Sequence, residues 1–238
     1  MGMVDIHSHI LPSVDDGAKS WEMAVEMCQM AAADGITHMV ASPHSNDEFK
    51  YDRKEHEATL AQLRERIGGA LELSLGCDFH MSFDNIMAVR KNPAEFCIGN
   101  TNYLLVEFSD FGVSRQLLTT LEEFLNSGLI PIVTHPERNP MFQAKPELIL
   151  QLASLGCVIQ VTANSFTGFW GNGPRKTAEW LLKKNALHVL ASDAHDPKRR
   201  TPILSKGRDA VAGLAGGDVA NRLVSENPEA IVRGESLT

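Results

Sequence analysis

Short β-rich runs alternate with longer stretches of helical period along most of this chain, and that rhythm restricts the fold more than any other feature. The strand candidates are Met3–His7, Thr37–His44, Leu71–Phe79, Tyr103–Phe108, Leu129–His135, Cys157–Thr162 and Leu187–Ser192. Several are nearly all apolar, as parallel strands covered on both faces must be. Helical patterns lie between them. "SWEMAVEMCQMAAADG" offers Ser20 as N-cap, an apolar face of period 3.6, and Gly35 as its stop. "RKEHEATLAQLRERIGG", "SRQLLTTLEEFLNSG", "KPELILQLASLG" and "GPRKTAEWLLKKNA" follow the same logic. Repeated β–α–β units predict a parallel sheet or barrel. After Ser192 the pattern is helical, over about 205–214 and 218–225 and in a closing "NPEAIVRG". With 238 residues and no linker or low-complexity stretch, the whole of 1–238 is expected to be one α/β domain.

The chemistry-bearing residues fall at one place in each unit. His7 and His9 follow the first strand, His44 ends the second and Asp78 the third. Glu107 ends the fourth, His135 the fifth, and Asp193 and His195 the seventh. The C-terminal ends of barrel strands share one rim, so residues far apart in sequence are expected to converge there. Imidazole nitrogen and carboxylate oxygen suit divalent ions such as manganese, iron and zinc. In His-x-His both side chains leave an extended segment on the same side, and Asp-x-His repeats that geometry. Singly, each residue has a plainer explanation: a strand-end histidine usually makes a hydrogen bond, and Asp78 would serve as a turn residue. Their joint placement favours a site for two or three ions, with Glu107 the natural bridge. Asp15 and Asp16, in "SVDDG", are equal candidates on sequence alone. His38, inside a strand, and His56, in a polar helix, are expected to be structural or solvated; His188 opens a strand at the wrong end of the barrel, and His80 at most lines the pocket.

Composition excludes some functions. The net charge of −8 repels a phosphate backbone, so no nucleic-acid partner is expected. Cys28, Cys77, Cys97 and Cys157 form no C-x-x-C pair and read as the reduced thiols of a cytoplasmic protein. None is followed six residues later by arginine; the residues there are Asp34, Phe83, Tyr103 and Ala163. A cysteine-based phosphate loop is therefore excluded. No Walker loop, signal peptide or membrane-spanning run is visible.

"DIHSH", "SPH", "LLVEF", "HPER" and "SDAH" resemble the motifs of the PHP (polymerase and histidinol phosphatase) superfamily. "HILPSVDDGAKS", "ITHMVASPH", "THPERNP", "QVTANSFTG" and "NPEAIVRGE" resemble its bacterial capsular-polysaccharide-regulating protein-tyrosine phosphatases, over nearly the whole chain. That likeness implies a distorted (β/α)7 barrel with its site at the C-terminal rim. It also implies a metal centre of His7, His9, Asp16, His44, Asp78, Glu107, His135, Asp193 and His195. It selects Asp16, the acid directly before glycine, and leaves Asp15 to orient the loop. One departure stands out: the third-strand acid is usually Glu in this branch, and here it is Asp78.

Arg138 in "HPER" and Arg200 in "SDAHDPKRR" are expected to bind phosphoryl oxygens, with Asp193 in the catalytic group; Lys198 and Arg199 would at most add positive field. The implied activity is phosphotyrosine hydrolysis by a metal-bridging hydroxide, with manganese the favoured ion. The implied partner is a tyrosine-phosphorylated, membrane-anchored bacterial autokinase of exopolysaccharide export, and the chain itself would be a monomer that is not an integral membrane protein. The competing readings are a small-molecule phosphatase, for example on histidinol phosphate, and a non-catalytic metal-binding module. The acidic balance disfavours a nuclease.

Overall fold

The computed structural model describes residues 2–109 and 115–237. Its strands are β1 (Met3–Ser8), β2 (Ile36–Ala41), β3 (His44–Ser45), β4 (Glu72–Leu75), β5 (Asp78–His80), β6 (Tyr103–Glu107), β7 (Ile130–Val133), β8 (Val158–Thr162) and β9 (Val189–Ala191). The long helices are α1 (Trp21–Ala33), α2 (Arg53–Ile67), α3 (Phe83–Lys91) and α4 (Arg115–Asn126). They continue with short α5 (Pro140–Ala144), α6 (Glu147–Leu155), short α7 (Ala163–Phe166), α8 (Asn172–Lys183), α9 (Ser205–Ala215), short α10 (Gly217–Asn221) and α11 (Asn227–Arg233). Every strand pairing is parallel, in the orders β1-β2-β4 and β3-β5-β6-β7-β8-β9. A parallel bridge between Ser8 and Ala194 ties β1 to the segment after β9. The result is a curled parallel sheet with helices packed around it, a TIM-like α/β fold.

The second and third expected strands each break in two. Pro43 has no N–H for the ladder, and Gly76 lies at the same level on the neighbouring strand. Pairing stops at Ala41↔Leu75 and resumes at His44↔Asp78. Asp78 thus opens β5 rather than ending a single long strand. Helix α3 was not anticipated: its apolar residues Phe83, Ile86, Met87 and Val89 span less than two turns, and only Ile86 and Val89 of them are buried. Ser82 starts it by accepting from Asn85 N. Ser114, where the pattern begins the fourth helix, lies outside the described residues. The segment expected as one helix over 218–225 divides into α10 and a π-helical turn, Arg222–Glu226.

Local signals explain the helix ends. Ser20 Oγ accepts from Met23 N, and Asp52 does the same for Glu55 N. A small apolar cluster draws on β1, β2, β6, β7, β8 and β9, with Val4, Val40, Leu105, Ile132, Val158 and Val189 among its members. It fills the curl beneath the strand ends. Ile231 of α11 joins it, and Tyr103 Oη donates to Glu235 O at 2.6 Å, closing the opposite end. A larger cluster joins the sheet to the helices.

Helix α9 begins with orphan N–H groups and no cap of its own. Asp34, at the end of α1, supplies it from outside: its carboxylate accepts from Leu204 N at 2.8 Å, Ser205 N at 2.9 Å and Ser205 Oγ. Asp34→Ala is expected to cost about 1–2 kcal/mol. At matched metal load that lowers the melting temperature by roughly 2–8 °C. An unchanged melting curve would show that the cap is replaced by water at no cost.

Candidate metal centre

The structure brings all nine candidate ligands together. Their donor atoms fall into four groups, each within 4.8 Å: His9, Asp16, His44 and His195; His7, Asp78 and His135; His7, His9 and Asp193; His44, Asp78 and Glu107. The groups share members, so the cluster is continuous. Asp78 Oδ2 lies 3.1 Å from His44 Nδ1 and 3.5 Å from His7 Nε2. Glu107 divides its oxygens, with Oε1 3.7 Å from His135 Nε2 and Oε2 3.8 Å from His44 Nδ1. Asp16 stands at the open side, with Oδ1 3.3 Å from His195 Nε2 and 3.4 Å from His44 Nε2. His135 and Asp193 both take left-handed backbone, φ 34° and 51°. Such conformations cost non-glycine residues on the order of 1–3 kcal/mol and gather at functional sites.

Two acceptors aim the first pair of imidazoles. Asp15 Oδ2 is 2.7 Å from His9 Nδ1, and Gln160 Oε1 is 2.9 Å from His7 Nδ1. Each acceptor makes Nδ1 the donor, which leaves both Nε2 lone pairs facing inward. Those two nitrogens are 3.3 Å apart. Lone pairs that close repel unless a proton or a cation lies between them. His44 Nδ1, Asp78 Oδ2 and His195 Nε2 are likewise buried without a hydrogen-bond partner, a state that costs free energy unless something binds them. The donor set is imidazole and carboxylate, which suits divalent transition metals. The residues fit such ions.

The aspartate pair divides by burial. Asp15 is 6 % exposed and makes three bonds: to His9, to Gly17 N at 2.9 Å and to His44 N at 3.2 Å. Gly17 is required there, because a Cβ would lie 2.1 Å from His9 O. Asp16 is exposed and makes no such backbone contacts. Asp15 is thus a loop-holding and histidine-orienting group.

The electrostatics follow from crowding. Burial pulls His7 down, but Asp78 and Asp193 outweigh it and push it up to about 9. Burial also opposes the charge on His44, and Asp16 and Asp78 overcome it, lifting it to about 11. Burial and the His9 imidazole depress His195 to about 4. Burial, then Asp78, raises Glu107. Burial and the Arg138 guanidinium hold His135 well below the usual imidazole range.

Arg138 and Arg200 both reach this cluster through one residue. Asp193 Oδ2 accepts from Arg138 Nη1 and, at 2.6 Å, from Arg200 Nη2. Its Oδ1 lies 3.5 Å from His9 Nε2 and 3.6 Å from His7 Nε2. Both guanidiniums also lie against the Trp170 ring, at 4.1 and 5.4 Å from its centroid. A cavity of about 190 Å3 opens beside Arg138, lined by Glu107, Thr134, His135 and Asn139 among others.

Sequence reasoning did not find Gln160 or Trp170. Both lie in or beside "QVTANSFTGFW", where a polar residue inside a buried strand was the available signal for Gln160. Glu137 was also passed over; it is fully buried, and its Oε1 accepts from Thr162 N and Ser165 Oγ. His38, His56 and His188 lie outside the cluster: His38 meets Ser74 Oγ at 2.9 Å, His56 packs on Tyr51, and His188 Nδ1 accepts from Ile159 N.

Residues 3–233 match the family model described as "Capsular polysaccharide synthesis, CpsB/CapC". CapC of Staphylococcus aureus is 35 % identical over 210 residues, 86 % of this chain and 81 % of that one. The tyrosine-protein phosphatase CpsB of Streptococcus pneumoniae is 28 % identical, over 99 % of this chain and all of that one. A crystal structure from work on YwqE of Bacillus subtilis and CpsB of Streptococcus pneumoniae, described as metal-dependent tyrosine phosphatases, superposes with a TM-score of 0.93. It is 28 % identical and covers 99 % of this chain and 96 % of that one.

Ions bind imidazole without its proton, whereas His7 and His44 hold theirs at pH 7 when no ion is bound. Ion uptake is therefore expected to expel protons, and affinity is expected to rise with pH up to about 9, where His7 gives up its proton, and on toward about 11, where His44 does. Titrating manganese calorimetrically into metal-free protein, in buffers of different ionisation enthalpy, reads the number released. A heat independent of the buffer would contradict this charge state.

Proposed function

The chain belongs to the CpsB/CapC family, and from that premise we propose that it is a metal-dependent protein-tyrosine phosphatase. The observation that carries the reading is the Asp193 carboxylate, which joins the imidazole cluster on one side to two guanidiniums on the other. Guanidiniums bind phosphate oxygens in a planar fork. Here two of them lie beside a polydentate nitrogen–oxygen cluster.

The nine candidate ligands would hold two or three divalent ions, manganese being the favoured identity. When bound, such ions lower the pKa of a coordinated water and offset charge on the phosphoryl group. The chain's own part is positional. Arg138 and Arg200 bind the non-bridging oxygens, and Asp193 keeps both guanidiniums turned toward the cluster. Gln160 and Asp15 keep His7 and His9 facing inward. The leaving group is a tyrosyl phenolate, whose ordinary pKa of about 10 eases its departure compared with an alkyl alcohol.

A closed seven-strand barrel with the site at the C-terminal rim is the architecture we favour, as a single domain. The common register across the β2/β3 and β4/β5 breaks supports counting each pair once, and the Ser8–Ala194 bridge supports closure. The substrate is a phosphorylated protein, in our reading a membrane-anchored tyrosine autokinase governing capsular or exopolysaccharide synthesis. The enzyme would act in the cytoplasm as a monomer; no helix among the described residues is long and apolar enough to cross a membrane.

Comparing kcat/KM on phosphotyrosyl peptides with that on histidinol phosphate and sugar phosphates tests the reading. At least tenfold preference for the peptides is expected, roughly the discrimination that one apolar contact provides. Preference for a metabolite would replace the proposal, and inactivity of metal-loaded protein would favour a binding module. Arg138→Ala is expected to lower turnover about 100-fold with metal content unchanged by elemental analysis. His9→Ala is expected to lower the metal stoichiometry itself. Should Arg138→Ala also lose metal, Arg138 builds the centre rather than serving the substrate.

A further inference from the structure

Phe169 and Trp170 occupy the turn between α7 and α8, bracketed by Gly168 (φ +82) and Gly171 (φ +90). Both glycines take left-handed backbone, which they adopt without a Cβ clash. Phe169 N donates to Asn164 O at 3.2 Å, and Gly171 N donates to Gly168 O at 3.0 Å. The two rings are therefore presented by a tight, bonded turn. They meet nearly at right angles, 4.9 Å apart, the edge-to-face geometry aromatic pairs favour.

Their surroundings give the pair its interest. Trp170 carries Arg138 and Arg200 on its ring, and its Nε1 is buried without a hydrogen-bond partner. Phe169 is 40 % exposed. A lone exposed phenylalanine is ordinary, but this one is one ring away from two guanidiniums that already face the candidate metal cluster. The cavity beside Arg138 offers no comparable aromatic face. Its two phenylalanines, Phe108 and Phe142, are 7 % and 0 % exposed and pack edge-on against each other at 5.6 Å.

We propose that Phe169 and Trp170 form the aryl-selecting element of this site. Trp170 holds Arg138 and Arg200 together as the fork for the phosphoryl group, and Phe169 packs against the phenyl ring to which that group is attached. The proposal rests on the phosphotyrosine reading above and deepens it. An alkyl phosphate would engage the fork alone, whereas an aryl phosphate engages the fork and Phe169. Trp170 is a positioning residue for the arginines, and Phe169 determines specificity.

Phenylphosphonate and methylphosphonate, which are not hydrolysed, separate the two roles. Their inhibition constants are measured on the metal-loaded full chain, with metal content checked for each variant. Phe169→Ala is expected to weaken phenylphosphonate about fivefold while leaving methylphosphonate within about twofold, the size of one aromatic contact. Its loss on phosphotyrosyl peptides is expected in KM rather than kcat, and Phe169→Tyr is expected to restore both. Trp170→Ala is expected to weaken both phosphonates together, and Trp170→Phe to recover most of that loss, because either ring offers the guanidiniums a face. Should Trp170→Ala lose metal or fold, Trp170→Phe and Phe169→Ala still decide. Equal effects of Phe169→Ala on the two phosphonates, or none, would overturn the proposal. A wild-type enzyme inactive on phosphotyrosyl peptides overturns the phosphatase reading instead, so the two failures are distinct.

Discussion

The Asp193 carboxylate faces two ways, with Oδ1 toward His7, His9 and His195 and Oδ2 toward Arg138 and Arg200. Arg138 and Arg200 hold it ionised despite its burial. A buried carboxylate of this kind is stable only when its partners are complete. The backbone is committed to it as well. Asp193 N donates to His7 O at 2.9 Å, and His9 N donates to Ala194 O at 2.8 Å, so the two ends of the chain's strand series meet at this residue. Beneath it Asp5, pushed up to about 6 by burial, accepts from Ser192 N and Ser192 Oγ. Ser192 Oγ in turn accepts from Ala194 N. The turn bearing Asp193 is therefore bonded from below and from the side, which is what lets a left-handed aspartate persist there.

The cluster above that turn opposes folding when no cation is present. Without an ion, His7 and His44 must keep protons beside the carboxylates, and some polar atoms of the cluster, His195 Nε2 among them, are buried without a hydrogen bond. Each such atom costs about 1–3 kcal/mol. The rest of the fold must supply that stability, through its parallel ladders and two apolar clusters. Ligand binding then returns part of the cost, because ions bind the folded arrangement and not the unfolded chain. The site is thus a place where folding energy is spent on readiness to bind.

The repeat of strands and helices, and the convergence of nine donors, were readable because both depend on period and position. An apolar run followed by His, Asp or Glu carries its own signature. Strand breaks at Ser42–Pro43 and at Gly76 were less visible, since their effect depends on the two lying level across the sheet. Helix α3 was hidden by its brevity: Phe83, Ile86 and Met87 do fall at helical spacing, but nine residues are too short a stretch for the period to stand out. Gln160 and Trp170 serve the site through residues thirty or more positions away, and 153 positions away in the case of the His7–Gln160 bond. Such partners leave no local pattern. Asp15 and Asp16 show the limit most directly: composition and spacing treat them as equals, the resemblance alone chose between them, and the fold divides them by burial and hydrogen bonding.

Asp78 shows how backbone and side chain compensate. The resemblance read from the sequence implies a glutamate here, and this chain has a carboxylate one methylene shorter. The break after Leu75 allows the strand to restart at Asp78 itself, with Asp78 N donating to Pro43 O at 3.0 Å. Its neighbour in the ladder is His44, the other residue that restarts a broken strand. The same discontinuity therefore places both side chains, and Asp78 Oδ2 arrives between His44 and His7 without extra reach. A glutamate on this backbone would have to fold back to occupy that point, and its added methylene would crowd a site where Asp78 is already fully buried. The strand break and the short side chain together place this carboxylate between His44 and His7.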